Sequence, residues 1–242
     1  MTGGRIVISM WSGPRNVSTA MMRAFENRAD TAVLDEPLYG AYLARTGADH
    51  PLAAETLAAY PNDLAEAIAW TSAPPDGAAI AFCKHIAYHY PVDASFDWLD
   101  AHRVFLLIRD PRRMVASFAR KHDDVAPIVE SYRVARRIRA HLSGRAYACP
   151  IVDGDDVLAK PEPTLRRLCG ALAIPFEPRM LSWPAGPRKS DGPWAAHWYD
   201  AVNASTGFAP ARPPTPLSAD LATAAARAMD DYEALRADRL TA

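Results

Sequence analysis

Residues 5–27 read RIVISMWSGPRNVSTAMMRAFEN, and this stretch limits the possible folds more than any other in the chain. Ile6, Val7 and Ile8 form a short β-branched apolar run that fits a buried strand. Ser12-Gly13-Pro14-Arg15-Asn16 follows, a cluster of turn formers around one cation. Ala20, Met21, Met22, Ala24 and Phe25 then make good helix, with Ser18 or a neighbour as its N-cap. Strand, tight loop and helix together aim backbone N–H groups and the positive helix end at an anion. Arg15 adds a fork of donors, and Ser18 and Thr19 add hydroxyls. The pattern is a phosphate cradle, or more plainly a βα turn whose polar residues only cap the helix. It departs from the nucleoside-triphosphate loop G-x-x-x-x-G-K-[ST], having one glycine and an arginine in place of a lysine.

If there is an anion site, it must be built locally. The net charge is −1, which gives no global basic field for nucleic acid or a membrane surface. The 242 residues are half hydrophobic and suffice for one generous domain. Cys83, Cys149 and Cys169 are scattered and lack metal-ligand spacing, so they read as reduced core residues. No signal-peptide pattern opens the sequence, and no apolar run reaches the roughly 18 residues that span a bilayer. The expectation is a cytoplasmic protein that needs no metal.

A second strand at residues 31–35 ends in Asp35 and Glu36, just before Pro37. Carboxylates there lie on the edge where open α/β sheets bind ligands, unless they are only a solvated turn. Residues 40–75 carry helical periodicity and read as a cap or lid, followed by a loop at residues 74–77. A third strand at residues 79–84 runs into Lys84, His85 and then His89. A lysine and histidine past a strand end can supply an anion contact and a general base. The plainer reading makes these histidines surface residues, and it is preferred for His89.

Residues 103–108 form the clearest strand, running into Arg109-Asp110-Pro111 and a helix over residues 114–121 that carries Ser117. This is a second strand-to-helix anion site, unless Arg109 simply pairs with Asp110. Residues 131–142 read as a basic helix with a mostly solvated face, residues 150–153 as a last strand and residues 162–172 as a helix. Alternating strands and helices imply a mainly parallel sheet covered on both faces, a three-layer α/β/α domain over residues 1–242. Late in the chain, GPRKSDGPW sets Arg188 and Lys189 among glycines and prolines ahead of Trp194, His197, Trp198 and Tyr199. An irregular basic and aromatic loop of this kind, about residues 183–199, suits closure over a ligand. Residues 218–240 read as one C-terminal packing helix.

Taken in order, these pieces resemble the sulfotransferase family, a P-loop-like fold that binds 3′-phosphoadenosine 5′-phosphosulfate. SGPRNVST is similar to that family's 5′-phosphosulfate loop, which implies contacts from Gly13, Pro14, Arg15, Asn16, Val17, Ser18 and Thr19. LLIRDPRRMVASF resembles the 3′-phosphate motif, with Arg109 and Ser117 as its arginine and serine. FCKH is similar to the segment with the catalytic histidine, here His85 beside Lys84. VDGDDVLAKPEPTLRRLCGALAIPF resembles the strand and helix that follow, and GPRKSDGPW the clamp on 3′-phosphate and adenine through Arg188, Lys189 and Trp194. The resemblance covers residues 5–199.

Three features depart from the family pattern. Arg15 stands where many members have lysine, the late loop lacks the full glycine spacing, and His85 adjoins Lys84 rather than lying apart from it. Glu36 therefore competes with His85 for the role of base. The resemblance implies sulfonate transfer to a hydroxyl or amine of a small-molecule acceptor, partly apolar if Leu57, Tyr60 and Trp70 line its pocket. A nucleotide kinase or hydrolase on the same fold, and a non-catalytic nucleotide binder, are the alternatives.

Overall fold

The computed structural model describes residues 5–72, 77–122, 124–145, 149–211, 213 and 215–241. The elements run β1 (Ile6–Ser12), α1 (Ser18–Glu26), β2 (Thr31–Asp35), α2 (Tyr39–Thr46), α3 (Ala53–Ala59), α4 (Leu64–Ser72) and β3 (Ile80–Ile86). They continue with β4 (Arg103–Ile108), α5 (Pro111–Phe118), α6 (Ala126–His141), β5 (Ile151–Asp153), α7 (Gly154–Ala159) and α8 (Pro161–Ala171). Two single-turn helices, α9 (Ala195–Trp198) and α10 (Asp200–Asn203), precede α11 (Ala219–Ala226) and α12 (Met229–Ala237). The loop expected at residues 74–77 lies mostly outside the described residues.

All strand pairs are parallel, in the order β2-β3-β1-β4-β5. The chain leaves β1 toward one edge, returns through β3, and then crosses to β4 on the other side of β1. Such a reversal opens a crevice at the carboxyl ends of the central strands, where open α/β sheets take their ligands. Ser12, Asp35, Ile86, Ile108 and Asp153 end the five strands on that edge.

Both faces of the sheet are covered, as parallel sheets require. Ile8, Met10, Phe82, Phe105, Leu107 and Val152 face α1 and α8, where Phe25 stacks on Phe82 at 4.2 Å. The alternate residues Trp11, Val104, Leu106, Ile108 and Ile151 face α5, α6, α11 and α12. This period of two decides the site, because neighbours on one strand project to opposite layers.

Local rules explain most element ends. Asp110 caps α5 by accepting from the Arg112 N–H, ahead of Pro111 in the first turn. Asp153 caps α7 and Ser218 caps α11 in the same way. Three expectations change. α6 begins at Ala126, earlier than residue 131, and buries Ile128, Val129, Tyr132, Val134 and Ile138 beneath its arginines. Residues 218–240 form two helices, broken at Arg227 and Ala228. Ser18 does not cap α1: the cap position is Val17, at φ 48°, and no side chain accepts there.

The segment expected at residues 40–75 is helical in its described part, as α2, α3 and α4 within residues 39–72, and α2 packs closely on the turn after α3. A methyl on Gly40 would stand 2.6 Å from the Pro61 carbonyl and 2.9 Å from Tyr60 Cβ. Backbone on one side leaves little room to yield. Gly40→Ala is therefore expected to cost about 1–3 kcal/mol in thermal or chemical unfolding, an effect not expected from the same change at Gly170, which meets nothing within 4 Å.

Candidate active site

The loop from Gly13 to Val17 leaves the central strand at the crevice. Arg15 and Val17 both adopt left-handed backbone, at φ 60° and 48°. A β-branched residue there is strained, and alternating turns of this kind gather N–H groups into an anion-binding concavity. With no side-chain cap at Val17, the first N–H groups of α1 keep their donors for another acceptor. Packing holds the loop in place: buried Asn16 donates its side-chain amide to the Leu107 carbonyl. A methyl on Gly13 would come 2.5 Å from Met114 Cε.

Three guanidinium groups meet beside this loop. Arg15 Nε and an Arg120 terminal nitrogen each donate to Ser117 Oγ at 3.0 Å, and Arg109 donates to the Arg15 carbonyl at 3.3 Å. Arg109 and Arg113 are both bridged to Asp155, at 3.1 and 3.0 Å. Asp110 pairs with Arg112 instead of Arg109, so the simple Arg109–Asp110 pair does not form. Burial, then the positive charges of Arg120 and Arg109, lower the pKa of the Arg15 guanidinium. Such repulsion is unfavourable until an anion sits among the cations. Arg120 was not singled out from sequence, although it lies three residues beyond Ser117 in the same run.

On the other side of the crevice lies a buried charge network. Lys84 Nζ is 2.7 Å from Asp35 Oδ1, 2.5 Å from Glu36 Oε1 and 2.6 Å from the Tyr199 hydroxyl. Tyr199 also donates to Asp35, the Gly192 N–H donates to Asp35 Oδ2 at 3.2 Å, and Trp194 Nε1 donates to Tyr199 at 3.2 Å. Burial alone would lower the pKa of Lys84, but Asp35 and Glu36 outweigh it and hold the ammonium well above its usual range. Glu36, at φ 47°, is pushed up to about 7 by burial, with Lys84 pulling down and Asp35 pushing further up.

His85 occupies the opposite layer from Lys84. It stacks on Trp11 at 4.5 Å, is 1% exposed, and burial followed by His102 and Lys84 holds its pKa well below the usual imidazole range. His89 is buried rather than superficial, stacked on Tyr39 at 4.4 Å with Nδ1 3.8 Å from Glu36 Oε2. Its stacking partners Tyr39 and Tyr42 come from α2, some 50 residues earlier, so the sequence around residue 89 does not reveal the burial.

The late loop lies along α1. Arg188 approaches Glu26 at 3.7 Å, at the far end of α1 from the cradle, and Asp191 pairs with buried Arg23 at 2.7 Å. Lys189 is exposed, and Trp194 is buried edge-on to Tyr39. Tyr60 packs against both Trp70 and Trp194 at 5.1 Å. Leu57, on α3, packs against the core cluster beside α1. Thus Gly13 to Thr19, Arg109 and Ser117 come together, Glu36 and Lys84 form a second group that Trp194 joins through Tyr199, and His85 and Arg188 lie elsewhere. Among the described residues no helix is long and apolar enough to cross a membrane, and no three His, Cys, Asp or Glu side chains are grouped as metal ligands.

A parallel 2-3-1-4-5 sheet with a tight strand-to-helix loop after its central strand defines a three-layer α/β/α architecture. The sequence matches the family model described as "Sulfotransferase domain" over residues 6–239, and the chain belongs to that family. It is 36% identical over 208 residues to the Arabidopsis thaliana protein named "Branched-chain-amino-acid aminotransferase-like protein 2", covering 84% of this chain and 36% of that one. Protein 1 of the same name and organism is 34% identical over 204 residues, with the same coverage. The chain therefore spans about a third of the length of these curated relatives. The fold is also that of the "Sulfotransferase from Alicyclobacillus acidocaldarius", with TM-score 0.58, 12% identity and 96% of each chain covered. The "Sulfotransferase Domain from the Curacin Biosynthetic Pathway" aligns with TM-score 0.53 and 16% identity over 92% of this chain and 97% of that one.

Proposed function

We propose that this domain transfers a sulfonate group from 3′-phosphoadenosine 5′-phosphosulfate to a hydroxyl or amine of a small acceptor. The observation that carries this reading is the convergence of Arg15 and Arg120 on Ser117, with Arg109 against the Arg15 carbonyl, next to the uncapped start of α1. A donor with phosphates at two positions suits two adjacent cationic subsites. The N–H groups of the loop through Gly13, Pro14, Arg15, Asn16, Val17, Ser18 and Thr19 serve the 5′ end. Arg109, Arg120 and Ser117 serve the 3′-phosphate, with Arg188 held by Glu26 in this arrangement of the late loop.

The bound donor supplies the sulfonate, whose bond to the phosphate oxygen breaks as a bond to the acceptor oxygen or nitrogen forms. Arg15 lies where charge grows on the departing phosphate, and its permanently charged fork stabilises that charge without giving up a proton. Glu36 takes the acceptor proton, since a carboxyl raised to about 7 is half-ionised near neutrality and matched to that task. His85 is too deeply packed beneath Trp11 to touch an acceptor in this arrangement. The aminotransferase in the relatives' names requires a lysine free to form a Schiff base. Lys84, the lysine of the crevice, is held by two carboxylates and kept charged, which disfavours transamination here.

Thermal unfolding with 3′-phosphoadenosine 5′-phosphate, magnesium ATP and adenosine 5′-phosphate tests the assignment. At about 100 times its dissociation constant the 3′-phosphorylated nucleotide should add ~2.7 kcal/mol, a rise of roughly 5–10 °C. A rise with magnesium ATP alone would replace this reading by a kinase or hydrolase.

A further inference from the structure

His89 poses a question that the mechanism above leaves open. It is 2% exposed, yet neither ring nitrogen has a hydrogen-bond partner. Buried polar groups are almost always satisfied, so two orphan nitrogens on one ring call for an explanation. The ring stacks on Tyr39 at 4.4 Å and 4°, with Tyr42 beside it at 4.8 Å and 30° and Tyr88 edge-on at 4.5 Å. Rotation of the ring is opposed by these three aromatic neighbours. Its Nδ1 stands 3.8 Å from Glu36 Oε2, and Lys84 holds the other oxygen, Oε1. The two carboxylate oxygens thus face two different nitrogen groups.

We infer that His89 is a positioning residue for Glu36: a neutral imidazole that presents its Nδ1 hydrogen to Oε2 while Lys84 secures Oε1. This rests on the reading of Glu36 as the base. Hydrogen bonds of a catalytic group often lie long before substrate binds and tighten in the complex, so 3.8 Å is a starting separation. Burial, then His50, Lys84, His85 and Arg45, keep His89 well below the ordinary imidazole range. It therefore stays neutral and keeps one N–H to give. A donor aimed at the ionised carboxylate favours that form and opposes the upward push of burial. It also leaves the remaining lone pairs of Oε2 turned toward the acceptor proton.

The groups facing this pair come from several elements. Lys84 of β3, Asp35 of β2 and Tyr199 act on Glu36. Tyr39 and Tyr88 lie against it, and His50 and Arg45 reach His89 from the α2 side. None of these changes when residue 89 alone is replaced, so a change in Glu36 reports the imidazole itself.

The test is the titration of the Glu36 side-chain carboxyl, followed by carbon NMR in the full chain, in wild type, His89→Phe and His89→Gln. Phenylalanine keeps the stack and removes the donor, whereas glutamine keeps a donor. In His89→Phe the midpoint should rise by about one pH unit, a tenfold change in proton affinity. In His89→Gln it should return most of the way. An unchanged midpoint in His89→Phe overturns the inference, as does an equal rise in both variants. Should His89→Phe fail to fold, nitrogen-coupled NMR of the wild-type ring decides, since a hydrogen on Nε2 instead of Nδ1 also overturns it. The base assignment is scored separately. If Glu36→Gln leaves the slow transfer of sulfonate from 3′-phosphoadenosine 5′-phosphosulfate to water undiminished, that assignment fails, while the Glu36–His89 contact is still judged by the titration.

Discussion

Arg15→Ala and Arg109→Ala each weaken binding of 3′-phosphoadenosine 5′-phosphate by about 10- to 150-fold, the range set by losing one charged hydrogen bond worth ~1.5–3 kcal/mol. The structure adds a second, opposite expectation for Arg15. Its guanidinium is partly buried beside Arg120 and Arg109, and burial, then repulsion from those two, lower its pKa. Removing it relieves that repulsion, so the ligand-free melting temperature of Arg15→Ala should stay level or rise. Falling affinity with undiminished stability is the mark of a residue kept for binding at some expense to the fold. Calorimetric titration and a melting curve on one preparation check both halves. Unchanged nucleotide affinity in both variants would remove the anion site from the Arg15–Ser117–Arg109 cluster. A drop in affinity matched by an equal drop in stability would make Arg15 a folding residue instead.

Lys84→Met should produce the largest loss of stability of any single change discussed. It leaves Asp35 and Glu36 buried around a missing counter-charge, and breaking a buried pair on one side costs about 3–5 kcal/mol. At this chain length that corresponds to a fall of roughly 6–20 °C. The loss should depend on pH in a defined direction. Glu36 has a folded-state pKa raised from 4.5 to about 7 even with the lysine in place. A raised pKa means that the folded state binds the proton more tightly, so stability is fully present below the unfolded value and declines as pH rises through the folded one. In Lys84→Met that decline steepens, because nothing offsets the carboxylate once it ionises. The gap in melting temperature to wild type between pH 5 and 8 should therefore be smallest at the acid end and widen toward the alkaline end. A constant gap across that range would mean that the lost stability comes from packing of the lysine stem, not from its charge.

The strands and most helices are legible in the sequence because alternating β-branched runs and 3.6-period segments are local patterns. The family is legible too, since its motifs recur in order. The strand order is not, because which strands pair depends on contacts far apart in the chain. The adjacency of Lys84 and His85 shows the difference. Period-two alternation places neighbours on opposite faces, but only the sheet reveals that the Lys84 face meets Asp35, Glu36 and Tyr199 while the His85 face meets Trp11. His89 reads as superficial for the same reason, because its stacking partners Tyr39 and Tyr42 sit on another element. Arg188 and Lys189 look like a clamp among their glycines and prolines, yet Glu26 and Arg23 of α1 draw the loop along the helix through partners more than 160 residues away. Ser18 looks like a helix cap because serine usually is one. Here the left-handed turn at Val17 starts the helix and leaves its donors uncapped.

The network around Lys84 has a consequence for how the chain is made. Its members are Asp35, Glu36, Lys84 and Tyr199, and the Gly192 amide and Trp194 indole join them. The segments that carry the three charges emerge from the ribosome first, whereas the groups that complete their hydrogen bonds follow more than 100 residues later. Until then the carboxylates and the ammonium must stay in water or pair incompletely. The crevice side of the sheet therefore closes last, and a chain halted before Tyr199 would hold its charges open to solvent and offer that face to chaperones rather than to nucleotide.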